Sequence, residues 1–308
     1  MSALSGEHSI HKLSQVLGVS RSGCYRAPAC GPQALSDQRL SEEIKRIYQQ
    51  HRNRYGSPRI FMQLQEEGIT CSEKRVARLM RKESLRGLSG KRKAPKTTDS
   101  SHHGPIASNR LKQMTVRAAH QVWVMDITYI ECGNSWAYLA AVLDLYLQKI
   151  VGWEVSDTMS STLVETALKQ AVTRQGMPEK VTVHSDRGSQ YASRSFISLV
   201  ESLGYQRSMS AKGNCYDNAT MESFFGVIKR EELDRWDMPT LSCVRNRIFD
   251  YIETYYNRIR IHTSIGMSPA QFEEQNRNEL RQALAGADRP PPMPELETNT
   301  AREYELTN

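Results

Sequence analysis

The stretch QVWVMDITYIECGNSWAYLAAVLDLYLQKIVGWEV, residues 121–155, decides the fold. Residues 122–130 carry the β-branched and aromatic content of a strand, and 136–147 and 149–155 are apolar enough for two more. Gly133-Asn134 supplies a turn signal between the first pair. Outward from there, helical and strand patterns alternate. They give a helix over 161–175, a strand over 180–184, a helix over 193–203, a strand over 205–209 and a helix over 218–233. The order β-β-β-α-β-α-β-α predicts an α/β domain with a mixed sheet, antiparallel in its first three strands, and helices on both faces.

Three acidic residues stand in informative surroundings. Asp126 lies within the first strand, where an unpaired buried charge would be costly. Asp186 sits in VTVHSDRGSQY (181–191) and Glu222 in NCYDNATMESFFGVIKRE (214–231), with 35 residues between them. An oxygen-only carboxylate trio suits a hard cation such as Mg²⁺, and two such ions can clamp the attacking and leaving oxygens of a phosphodiester. In the helix of Glu222, Met221, Phe224, Phe225 and Ile228 form a stripe that docks on the sheet. Glu222 borders that stripe, so docking is expected to bring its carboxylate beside the sheet edge rather than out into water. Other readings remain open. Asp186 can be a turn residue partnered by Arg187, Glu222 a helix-surface carboxylate, and Asp144 and Asp217 are rival acids.

HSDRGSQY (184–191), KGNCYDNATMESFFGVIK (212–229) and YNRIRIH (256–262) followed by SPAQF (268–272) give these acids a context. With the trio in order, the chain resembles a DDE transposase of the bacterial insertion-sequence-three family, second reading frame, whose core is similar to retroviral integrases. The resemblance implies a ribonuclease H-like fold and assigns the catalytic and metal-binding roles to Asp126, Asp186 and Glu222, leaving Asp144 and Asp217 aside. It implies Mg²⁺, as two ions and with Mn²⁺ able to substitute, and strand cleavage and strand transfer at the element's ends. Lys229 is marked as a basic companion, seven residues and two helical turns after Glu222. The implied partners are double-stranded DNA, both terminal inverted repeats and target, further copies of the chain on DNA, and an upstream-frame helix-turn-helix protein joined by a frameshift. His262 falls on a recurring family position without an assigned role.

Charge and composition agree with a polyanionic partner. The 308-residue chain carries a net charge of +7. Residues 41–96 hold 15 Lys/Arg against 6 Asp/Glu, so the excess is concentrated on the N-terminal side. A helix-turn-helix reading covers 12–26, with Gly18 at the turn and Ser20 as a cap. A second helical module follows: Leu40, Ile44, Ile47 and Tyr48 make one stripe, and Ser57-Pro58 opens a helix to Glu67. Gly68 ends that helix, and Ser72 caps the next. There Val76, Leu79 and Met80 face a core, while Arg75, Arg78 and Lys82 form a basic face suited to a major groove and continued by Lys91, Arg92 and Lys93. A solvated charged face is the alternative reading of those residues.

The expected organisation is a helix-turn-helix-like DNA-binding region over 1–85, a basic linker over 86–118 and a catalytic core over 119–235. A helical extension over 236–285 and a disordered tail over 286–308 complete it. Six cysteines without a CxxC pair read as reduced thiols, and His8, His11, Cys24 and Cys30 have the wrong spacing for a zinc module. With no signal peptide and no apolar run long enough to span a membrane, a cytoplasmic, nucleoid-associated protein is expected. Two other functions stay open: a DNA-binding repressor with an unused core, and a nuclease that cuts without joining.

Overall fold

A computed structural model describes residues 32–88, 104–210 and 219–287. The N-terminal helices are α1 (Pro32–Gln50), α2 (Ser57–Glu66) and α3 (Glu73–Lys82). Ser72 caps α3 by accepting the Arg75 amide at 3.3 Å, as its position before an amphipathic run predicts. The start of α2 differs from expectation: Gly56 is the cap, makes no side-chain bond, and Ser57 is already helical with proline behind it. Proline's fixed φ opens that helix without help from the serine hydroxyl. Gly68 leaves it at φ 77°, where a side chain would be strained. The readings at 12–26 and at Lys91, Arg92 and Lys93 fall outside the described residues.

The sheet has strands β1 (Val122–Cys132), β2 (Ser135–Asp144), β3 (Lys149–Ser156), β4 (Thr182–Ser185) and β5 (Gln206–Met209) in the order β3-β2-β1-β4-β5. β1, β2 and β3 pair antiparallel, and β4 and β5 add parallel to β1. This is the predicted mixed sheet. The crossovers are α4 (Ser161–Arg174) and α5 (Arg194–Ser202), followed by α6 (Ala219–Glu231). Strand β2 stops at Asp144, three residues short of the predicted end. The reason is Asp144 itself, fully buried, whose carboxylate accepts the amides of Tyr146 and Leu147, each at 3.0 Å, and turns the chain. It also takes the His120 amide at 2.7 Å and the Trp123 indole N–H at 3.3 Å. A carboxylate so fully engaged is a structural residue.

Two apolar layers flank the sheet. One, built from Trp123, Met125, Val183, Leu168 and Phe196, lies under α4 and α5. Gly152 lets α4 sit close, because a Cβ there would fall 2.3 Å from the Ala167 carbonyl oxygen. The other joins Val122, Val124 and Ile130 to Met221, Phe224 and Ile228 of α6, and runs on without a break into Leu40, Ile60 and Leu79 of the N-terminal helices. Those helices therefore share a core with the sheet instead of forming a separate globule.

After α6 come a 3₁₀ turn (Leu233–Arg235), α7 (Leu241–Phe249), a π-helical continuation (Asp250–Tyr256) and α8 (Pro269–Ala287). The predicted single helix over 240–256 thus changes pitch half-way. Asn257 follows the change and pairs its amide with both backbone groups of Ile150, at 3.0 and 2.9 Å, close to the irregular register between β2 and β3. Side-chain pairing of this kind satisfies an edge strand where the ladder is disturbed.

Candidate active site

Asp126 and Asp186 meet at one end of the sheet. The last paired rung between β1 and β4 is Met125 with Ser185, so the two aspartates are the next residues on adjacent parallel strands. Side chains alternate across a strand, so Asp126 shares the face of Val124 and Ile130, which α6 covers. The Asp126 carboxylate accepts the Ile127 amide at 2.8 Å, and that of Asp186 accepts the Gly188 amide at 2.9 Å. Gly188 is needed there: a Cβ would come within 3.1 Å of Asp186 Oδ1 and 2.9 Å of the Gln190 side chain.

The rest of the HSDRGSQY segment braces this loop. His184 is buried and its two ring nitrogens lie 2.9 Å from Ser208 Oγ and 3.1 Å from Ser210 Oγ. Arg187 Nε donates to the Ser210 carbonyl at 2.9 Å. Tyr191 packs edge-on against Phe196, and its buried hydroxyl has no hydrogen-bond partner among the described residues. Burial pushes the Tyr191 phenol well above its ordinary pKa, and the neighbouring Asp126 and Asp186 carboxylates push it further. One buried phenol thus feels both carboxylates, although the two are 60 positions apart in the chain.

Glu222 differs from its expectation. It stands in the first turn of α6 and is exposed, although Met221, Phe224, Phe225 and Ile228 are buried as their spacing predicts. Among the described residues, no group of three or more His, Cys, Asp or Glu side chains gathers closely enough to hold a metal ion. Residues 211–218, which lead into the turn of Glu222, lie outside the described residues, and so does Asp217. Lys229 is half-buried with its ammonium 4.6 Å from the centre of the Tyr129 ring, and burial lowers its pKa.

The basic face of α3 is partly engaged within the chain. Asp37 receives Arg75 Nε at 2.7 Å and Arg78 Nη2 at 2.6 Å, and these bonds hold its carboxyl below the usual range. Lys82 is exposed.

The sequence reading missed a buried ionic cluster at the far end of α6. Glu231 accepts Arg260 at 2.9 and 2.8 Å and Tyr251 Oη at 2.8 Å, with Arg59 at 3.7 Å. Glu232 pairs with Arg54, and with Arg247 at 3.3 Å. Arg54 comes from the loop between α1 and α2 and Arg59 from α2, so the cluster ties the N-terminal helices to the core. A signal existed: Glu231 continues the buried stripe three residues after Ile228, a poor place for an unpartnered charge. His262 belongs to the same neighbourhood, edge-on to Tyr256 at 4.7 Å, and burial pushes its pKa down to about 3.

The comparisons with known proteins agree with this architecture. An HTH-like domain model matches residues 36–93, and two integrase core domain models match 116–215 and 222–276. The insertion element IS600 uncharacterized 31 kDa protein of Shigella sonnei is 41% identical over 266 residues, covering 85% of this chain and 97% of that one. Transposase InsF for insertion sequence IS3A of Escherichia coli (strain K12) is 35% identical over 276 residues, covering 88% and 96%. The chain belongs to the IS3 transposase family. This transposase is therefore one of the polynucleotidyl transferases built on an integrase core. Among solved structures, the HTLV-2 integrase catalytic core in complex with magnesium is 17% identical with a TM-score of 0.39, covering 49% of the transposase and 95% of that chain. A chain of the simian T-cell lymphotropic virus intasome is 15% identical with a TM-score of 0.43, covering 84% and 80%. No helix among the transposase's described residues is long and apolar enough to cross a membrane.

Proposed function

We propose that this chain cleaves DNA at the ends of its insertion sequence and transfers the freed strands to a target, with Asp126, Asp186 and Glu222 as ligands of Mg²⁺. The observation that carries this reading is the pair of aspartates on adjoining parallel strands, both felt by the one buried Tyr191 hydroxyl. Carboxylate oxygens beside an unsatisfied hydroxyl suit a hard, hydrated cation, so the residues fit the group. Bound there, two Mg²⁺ ions would activate water, and then a 3′-hydroxyl, and neutralise the phosphodiester's developing charge; Mn²⁺ would substitute.

The chain's own residues supply the rest. The loop of His184 to Tyr191 holds Asp186 in place. The apolar stripe of α6 docks the helix that delivers Glu222, and the ammonium of Lys229 offers a point charge to a terminal phosphate. Arg75, Arg78 and Lys82 with Lys91, Arg92 and Lys93 track the duplex backbone at the terminal inverted repeats. Several copies assemble on the two ends, and the working form is the frameshift fusion with the upstream helix-turn-helix protein.

Labelled oligonucleotides of the element's own ends, incubated with the fusion or with this chain and Mg²⁺, test the reading. Joined products that disappear with a chelator are expected. Cutting without joining would leave a nuclease, and binding without cutting a repressor.

A further inference from the structure

A cleft at the junction of the N-terminal helices and the core has chemistry that the active site does not use. It is an open depression of about 520 Å³ lined by Gln49, Arg52, Asn53, Arg235, Trp236 and Arg247, in volume within the range of small-molecule sites. Arg52 and Asn53 form the turn after α1 in the left-handed region, at φ 51° and 64°. That conformation is uncommon for arginine and persists where the surroundings enforce it. Arg235 braces the turn by donating Nη1 to the Arg52 carbonyl at 3.0 Å.

Trp236 is 45% exposed. The Arg247 guanidinium stands 4.4 Å from its ring centre. The lining holds three arginines and no acid, with the exposed Asp234 and Asp237 flanking Arg235 and Trp236 in the chain. Glu232 answers both Arg54 and Arg247, and the acceptors of Arg235 are the carbonyls of Arg52 and Glu231. An open indole among guanidiniums is the composition of a platform on which a nucleic-acid base stacks. The side-chain amides of Gln49 and Asn53 add donors and acceptors for a base edge.

We propose that this cleft is a DNA subsite for one unpaired nucleotide, its base on Trp236 and its phosphate against Arg52 and Arg235. The proposal rests on the reading that the chain processes DNA and adds a contact at the seam between recognition helices and core. The place is in reach of the active site. Glu231 follows Glu222 by nine positions along α6, about 14 Å at 1.5 Å per residue, or roughly four nucleotide steps at 3.4 Å each. A strand running along α6 from the reacting phosphate arrives at this seam. The nucleotide taken is therefore one that frays a few positions from the cut.

Fluorescence anisotropy with the full chain and two probes tests this: a blunt duplex of the element end, and the same duplex with a four-nucleotide single-stranded overhang. Trp236→Leu keeps apolar bulk and removes the stacking face. It should weaken binding of the overhang probe about tenfold and of the blunt probe less than twofold. Trp236→Phe should restore part of the loss. Arg52→Ala should lower the salt slope for the overhang probe by about one. Equal losses on both probes would overturn the proposal, as would unchanged affinity with a lowered melting temperature, which would make Trp236 a packing residue. In both of those cases wild-type binding of duplex DNA leaves the DNA-processing reading standing. Failure of the wild type to bind either probe would instead sink that reading, and the subsite with it.

Discussion

Helix α6 runs between two carboxylate pairs that are handled in opposite ways. At its start is the sheet end with Asp126 and Asp186, two half-buried carboxylates whose charge bears on the buried phenol of Tyr191. At its far end Glu231 and Glu232, both almost fully buried, meet the guanidiniums of Arg54, Arg59, Arg247 and Arg260. The chemical groups are the same. One pair is held by guanidiniums inside the chain and fixes geometry, whereas the other stands beside a buried hydroxyl that finds no hydrogen-bond partner among the described residues. Buried ion pairs of the first kind add little net stability yet are costly to break.

The comparison can be broken most sharply at the sheet end. Asp126→Asn and Asp186→Asn should each lower Mg²⁺-dependent cleavage by at least about a hundredfold, since several kcal/mol of charge stabilisation at 1.36 kcal/mol per decade is lost. Melting temperature and duplex binding should hold, which calorimetry and anisotropy would check. A variant that unfolds would show that the aspartate belongs to the scaffold.

At the other end the order reverses. Arg260→Met leaves Glu231 buried without its two strongest bonds and should cost about 3–5 kcal/mol of stability by denaturant titration. Adding Glu231→Leu should recover much of that loss, because an apolar pair of similar volume replaces the ions. If the double variant is no better than the single, the cluster is not acting as an ion pair.

Acid should weaken the same end. Burial pushes His51 down to about 4 and His262 to about 3, so both are neutral when folded. Unfolded histidines take up protons below about 6.5, so stability is fully present above that pH. It is lost as pH falls through 6.5 toward 4 for His51 and 3 for His262. His51→Phe, which keeps the stacking on Tyr55 at 3.7 Å, should flatten the slope by up to about 1.4 kcal/mol per pH unit. An unchanged slope between pH 4 and 6 would place the sensitivity elsewhere.

The smallest effect concerns α3. Asp37→Asn should cost about 0.2–1 kcal/mol, as for exposed ion pairs generally. It also releases Arg75 and Arg78. If these arginines contact phosphates, duplex affinity should rise and its salt dependence steepen. Unchanged binding would make them internal braces of the α1–α3 contact.

Sheet topology was legible because the β-branched, aromatic and apolar content of the strands and the helical spacing between them over 121–233 are local signals. The Ser72 cap and the buried stripe of α6 followed from the same periodicity. What escaped was carried by long-range partners. Glu231 and Glu232 were not singled out, since their guanidiniums lie 29 residues onward and about 180 residues back. Asp144 looked like a rival ligand until the four donors around it were seen. The exposure of Glu222 was also hidden, because bordering a stripe does not fix which way a side chain in the first helical turn points.

Arg54, in the loop between α1 and α2, and Arg59, in α2, reach their acids across the join with the core. Modularity has a limit here. An end-recognition unit transplanted from another element, with a different residue at position 54, would leave Glu232 with Arg247 alone. Arg54 also donates to the Glu231 carbonyl at 3.0 Å, and that acceptor would keep only the longer bond from Arg235 at 3.4 Å. The N-terminal helices and the core of this chain are therefore coupled through residues 54 and 59, and any exchange of those helices must keep both arginines.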